Sequence, residues 1–180
     1  MSPEEQSDQP VEKPASLWRQ TLDAQREEET GFGGVLLLFA IGRVLAPLLI
    51  GFALWKNIEL FTRPQIWGAL TRPESPAYHP FWLPVILFET AGGGLQLIAS
   101  FVILWLFFGR KRALPLVVIA YLAFSAFYIW ADYIFAGFIP AVRAARGVGA
   151  VTQLIFYTVI SLVWITYFVL ADRVKNTFVR

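Results

Sequence analysis

At 180 residues, 57% hydrophobic and only 16% charged, with 16 Phe, 7 Trp and 6 Tyr, this chain is too apolar for a soluble domain, whose charged fraction is about 25%. It has no cysteine and a single histidine, His79. That excludes disulfides, thiolate catalysis, Cys-ligated zinc, c-type haem and any His-rich metal or bis-His haem site within one chain, so no metal and no cofactor are expected. The formal charge of +2 is unevenly spread: residues 1–32 carry eight acids and three bases, the remainder five acids and twelve bases. A basic excess in short loops fits a membrane surface and not nucleic acid.

Residues 1–15 are polar, acidic and Pro-containing, and are expected to be disordered. Ser16 is placed to cap a short helix over SLWRQTLDAQREEE, with Trp18 and Leu22 spaced i, i+4. Such a helix would lie on the membrane; a solvated tail fits the same residues. No basic n-region precedes the first apolar run, and that run is too long for a signal peptide. Residues 1–31 therefore read as an acidic cytoplasmic tail and residues 32–180 as a membrane domain.

Four spans follow, about residues 33–55, 81–108, 114–138 and 148–170. The first would reach about 34 Å at 1.5 Å per residue, enough for a hydrocarbon core of about 30 Å. Pro84 suggests an interfacial first turn for the second span, and Pro115 suits a helix start. A loop over residues 56–80 contains Pro64, Pro73, Pro76 and Pro80, and its QIWGAL stretch is apolar enough to dip into the interface. The connections GRKRALP and PAVRAARGVG are short and demand antiparallel neighbours. The fold class is thus an all-α membrane protein, an antiparallel four-transmembrane-helix bundle.

Orientation follows from Lys and Arg. One side carries nine bases: Lys13, Arg19, Arg26, Arg110, Lys111, Arg112, Arg173, Lys175 and Arg180. The other carries five: Lys56, Arg63, Arg72, Arg143 and Arg146. The first side is expected to be cytoplasmic, with both termini inside. Arg110, Lys111, Arg112, Arg173 and Lys175 read as topogenic charges, with lipid head-group binding as the alternative. His79, in YHPFW, reads as an interfacial side chain.

Three lone charges inside the spans, Arg43, Glu89 and Asp132, are the main candidates for a site. A charge at that depth costs about 2.5–3.5 kcal/mol on insertion scales and marks a protein interior or a water-filled cavity. Helical spacing groups polar residues around them. Glu89, Gly93, Gln96 and Ser100 share one face of the second span. Asp132, Tyr128, Ser125 and Tyr121 share one on the third, and Gln153, Tyr157, Ser161 and Trp164 one on the fourth. These stripes are expected to face each other, forming an intramembrane cluster of Arg43, Glu89, Asp132, Gln96, Tyr128 and Tyr157. Arg43 is expected to contact Glu89 or Asp132, and two carboxyls against one guanidinium leave one carboxyl protonated. Pro47 removes the helical partner of the Arg43 carbonyl and predicts a kink there. Gly92–Gly94 favours close helix packing. Buried polar glue and a functional relay or ion site account equally well for the three charges.

The opening GFGGVLLLFAIGRVLAPLL, the lone Glu89, the FFGRKRALP junction, Asp132 and the ending WITYFVLADRVKNTFV together resemble a bacterial family of four-span membrane proteins, domain of unknown function 2569. The likeness covers roughly residues 31–179, with RVKNTF, Arg173 to Phe178, its most specific element. It implies a multi-pass protein of the bacterial cytoplasmic membrane and no particular activity, so no catalytic residue is carried over. Size, short loops and absent nucleophile–base pairs favour an accessory or scaffold subunit of a larger membrane complex, with a protein partner or a homo-oligomer in the bilayer. The alternative is a small oligomeric transporter or channel built on the Arg–Glu–Asp cluster. An intramembrane enzyme is the weakest reading.

Overall fold

The structure, a computed structural model, describes residues 34–178 and, ahead of them, Arg19. The tail helix expected after Ser16 lies outside the described residues, Arg19 aside. Seven helices follow in order: α1 Val35–Thr62, α2 Pro64–Thr71, α3 Trp82–Phe108, α4 Leu114–Ala136, α5 Pro140–Ala145, α6 Gly149–Leu170 and α7 Asp172–Thr177. Of these, α1, α3, α4 and α6 are long and apolar enough to cross a membrane, one over each of the four expected spans.

The largest correction is to the first boundary. α1 does not end near Trp55 but continues seven residues through KNIELFT. That stretch has no glycine or proline to stop a helix, and its polar side chains can reach the interface. The stop comes at Pro64. Arg63 before it is extended, at φ −102° and ψ 94°, because a proline disfavours the helical conformation in the preceding residue. Pro64 then opens α2 at a position where its missing N–H costs nothing. The same device recurs at Ile139–Pro140, which starts α5. What reads as a loop over 56–80 is therefore mostly helical, and α2 is pinned by Trp67 against Phe61 of α1, with ring centroids 4.7 Å apart.

The four long helices form an antiparallel bundle in which α1 packs on α3, α3 on α4 and α4 on α6. α1 and α6 meet where Phe39 touches Trp164 at 5.1 Å and Phe168 at 4.7 Å between ring centroids. One end of the bundle carries α2 and α5 and the other carries α7. The main apolar core sits at the α7 end, from Leu36 and Phe39 of α1 through Ile103 and Phe107 of α3 to Leu114, Val118 and Leu122 of α4. α7 completes it: Val174, Thr177 and Phe178 are buried, and the Phe178 ring lies 5.7 Å from that of Phe107. A smaller core of Val85, Ala136 and Ile139 closes the packing at the α2 end. Much of the remaining apolar surface, including Leu48, Leu49, Ile98, Phe127 and Phe156, is exposed, as befits helices bathed by lipid.

Candidate functional site

Between the two cores the helices bury polar side chains. Glu89 lies two turns into α3 from the α2 end, and Asp132 lies one turn before the end of α4. Antiparallel packing brings their carboxyls close enough to share a hydrogen bond. Ionised carboxylates only accept, so such a bond requires one proton between them. Asn57 of α1 donates through Nδ2 to Glu89 Oε2 at 3.2 Å. The Tyr128 hydroxyl donates to the Glu89 main-chain carbonyl at 3.1 Å. Asp132 Oδ1 is buried with no hydrogen-bond partner among the described residues.

Glycines make this approach possible. A Cβ at Gly92 would overlap the Tyr128 ring, and one at Gly93 would meet Leu54 Cδ2 of α1 at 2.9 Å. Gly92 thus admits α4 and Gly93 admits α1, whereas a Cβ at Gly94 would meet nothing within 4 Å. Tyr128 is further fixed by stacking on Phe88, with centroids 5.1 Å apart. The result is a cavity of about 300 Å³ between α1, α3 and α4. Ile50, Ala53 and Leu54 form its apolar wall, and Asn57, Glu89, Gln96 and Tyr128 its polar side.

Arg43 does not join the carboxyls. It makes no ion pair within 4 Å with Glu89 or Asp132. Instead its guanidinium lies over the rings of Phe39 at 5.2 Å and Tyr121 at 4.8 Å. Its Nη1 is buried without a hydrogen-bond partner among the described residues. The reason is register. α3 places Asn57, not Arg43, opposite Glu89, and the 14 positions between them amount to about 21 Å along α1. No arginine side chain spans that distance. Two sites therefore stand where one cluster was expected: an acidic one toward the α2 end and a cationic one beside the apolar core.

The other expected residues divide. Gln96, Ser100, Ser125, Ser161 and Tyr121 are buried, so the stripes on α3 and α4 do turn inward. The α6 stripe turns in only partly. Ser161 is buried, Gln153 is exposed, and Tyr157 is 43% exposed while remaining in electrostatic reach of Arg43 and Tyr121. Arg110, Lys111 and Arg112 are exposed in the turn joining α3 to α4, where Arg110 adopts a left-handed φ of 50°. Lys175 is exposed on α7; the side chain of Arg173 lies outside the described set. His79 is half-buried ahead of α3, and its Nδ1 accepts from the Phe81 N–H at 3.3 Å.

Two site residues escaped the sequence reading. Asn57 falls in the stretch that reads as a loop; a first helix extended to Pro64 puts it in line with Ile50 and Leu54. Arg146 reads from sequence only as a loop charge. Its guanidinium stacks 3.9 Å over the Tyr133 ring, donates to the Tyr133 carbonyl at 2.6 Å, and acts electrostatically on Asp132. Among the described residues there is no group of three or more His, Cys, Asp or Glu side chains fit to hold a metal ion.

A family model described as a protein of unknown function (DUF2569) matches residues 29–179. No curated protein and no solved structure matches the chain.

Proposed function

The chain belongs to the DUF2569 family of proteins of unknown function, and from that footing we propose that it is a small proton carrier whose working site is the Glu89–Asp132 carboxyl pair. The observation that carries this reading is that two carboxyls close enough to share a hydrogen bond stand in an apolar bundle with no cation at ion-pair distance among the described residues, Arg146 acting on Asp132 only from further away. A pair meant only as structural glue would be neutralised by a basic partner. Glu89 instead lines a cavity, and the donors Asn57 and Tyr128 hold it in place. The dense apolar core at the α7 end favours a carrier open to one side over a continuous pore. Four helices enclose little volume, so the active form is a homo-oligomer. Its place is the bacterial cytoplasmic membrane, with residues 1–31 and the C-terminus in the cytoplasm.

The test is proton uptake by vesicles containing the purified chain and a trapped pH-sensitive dye, driven by an imposed potassium diffusion potential. Wild type should acidify the lumen faster than protein-free vesicles. Asp132→Asn and Glu89→Gln should fall to the protein-free rate while melting as folded proteins. Wild-type uptake no faster than empty vesicles, or variants as fast as wild type, would overturn the reading.

A second reading, an accessory subunit of a larger membrane complex, is favoured by α6. Among its residues only Ser161 and Phe168 are buried, and Thr152, Gln153 and Tyr157 lie exposed on a spanning helix, where lipid offers no hydrogen bonds. A photo-crosslinker at position 153 or 157 separates the cases. Capture of a second copy supports the carrier, and capture of one other membrane protein in stoichiometric yield supports the subunit.

A further inference from the structure

We infer that the carboxyl pair is the mouth of a water-filled half-channel that runs inward between α3 and α4, past Gln96, Ser125 and Ser100, and ends blind at Arg43. This rests on the carboxyl pair being the open site of the molecule, and it adds a route by which water and protons reach the bundle centre.

The observations are orphaned polar atoms and their order. Among the described residues, the buried side-chain atoms without a hydrogen-bond partner are Arg43 Nη1, Ser100 Oγ, Ser125 Oγ and Asp132 Oδ1. Buried polar groups nearly always find a partner, and in a bilayer no outside water supplies one. The serines matter most. Hydroxyls in spanning helices usually bond back to their own backbone. Thr90, Thr158 and Ser161 do so here, to the carbonyls of Ile86, Leu154 and Tyr157. Ser100 and Ser125, 0% and 1% exposed, do not. Their hydroxyls are held free for another partner.

The four atoms are also in sequence along the bundle. The pairing of Gly92 with Tyr128 sets the register of α3 against α4. One turn further from the mouth puts Gln96 level with Ser125, and the next puts Ser100 level with Tyr121, whose ring carries the Arg43 guanidinium. Asp132, Ser125, Ser100 and Arg43 thus follow one another in depth, and the cavity beside Glu89 already reaches Gln96. Beyond Arg43 the series stops at Phe39, Ile103 and Phe107, all 2% exposed or less. Water is the ligand that fits: small, able to donate to carboxyl and hydroxyl and to accept from the guanidinium. A chain of it gives protons a path and leaves a larger solute outside.

The absence of cysteine from the chain permits a clean test with silver ion, which is small, water-borne and thiol-reactive. Ser100→Cys and Ser125→Cys are compared with Val118→Cys, in the apolar core, and with Ile98→Cys and Phe127→Cys, exposed toward lipid. Silver protection against thiol labelling after denaturation is the readout. The two serine positions should react roughly a hundredfold faster than all three controls, since an ion has no stable place in hydrocarbon. Reaction as slow as at Val118→Cys would overturn the proposal. Should a cysteine variant misfold, Ser100→Ala and Ser125→Ala decide it: in a dry interior, removing an orphaned hydroxyl raises the melting temperature, and in a hydrated one it does not. Silver access without proton uptake would sink the carrier and leave the half-channel standing; uptake without silver access would do the reverse.

Discussion

At the residue scale the site depends on what is missing from α3. Gly92 and Gly94 are chemically identical, yet a methyl at the first overlaps the Tyr128 ring and one at the second meets open space. Gly92→Ala should therefore destabilise by about 1–3 kcal/mol through overpacking. Gly94→Ala should instead stabilise by up to about 1 kcal/mol through helix propensity alone. Thermal melts in one detergent compare the two directly, and equal shifts would contradict the α3–α4 packing. The Tyr128 hydroxyl makes a smaller contribution. Tyr128→Phe deletes one bond to the Glu89 carbonyl and should cost about 0.5–1.5 kcal/mol, with the stacking on Phe88 retained.

At the element scale, α1 and α7 show opposite uses of a short sequence. α1 runs unbroken through Pro47, which is buried. The proline has no N–H for the Arg43 carbonyl, and a proline inside a helix costs about 3 kcal/mol or more. Pro47→Ala should raise the melting temperature. If the freed carbonyl helps shape the end of the half-channel, the same substitution should also slow proton uptake. A lower melting temperature would mean that the buried ring contributes more by packing than it costs. α7 has only six residues, too few to hold a helix alone, and is kept by its apolar side. Phe178→Ala should cost about 3–5 kcal/mol, as for any core phenylalanine. A loss below about 1 kcal/mol, within the range of surface substitutions, would show that α7 is an appendage and not part of the core.

At the scale of the whole molecule, the two ends of the bundle differ in kind. The α7 end is apolar and aromatic, and toward the α2 end a cavity is lined by Asn57, Glu89, Gln96 and Tyr128. From the sequence, nine bases are assigned to the first side and five to the second. Charge asymmetry of this kind orients spans with the basic side in the cytoplasm, which predicts a periplasmic open end. A periplasm-active reporter fused after Pro73 should be active and one fused after Phe178 silent. The reverse pattern would invert the molecule and make the carboxyl mouth cytoplasmic.

The sequence by itself determined the class, the number of spans and seven of the eight ends of their helices to within two residues. These follow from local quantities, apolar run length and the proline and glycine that end it. It also determined which faces of α3 and α4 are polar, because helical periodicity is a property of each helix alone. It did not determine that Arg43 and Glu89 are apart. That depends on the register between α1 and α3, which is set by Leu54 against Gly93 and Phe39 against Phe107, contacts between residues distant in the chain. It did not place Asn57 on Glu89 or Arg146 beside Tyr133, since each joins separate elements. Nor did the polar ending RVKNTF announce a core element: Val174, Thr177 and Phe178 are buried only because α7 folds back on Phe107, and burial is a property of the packed bundle, not of six residues read in order.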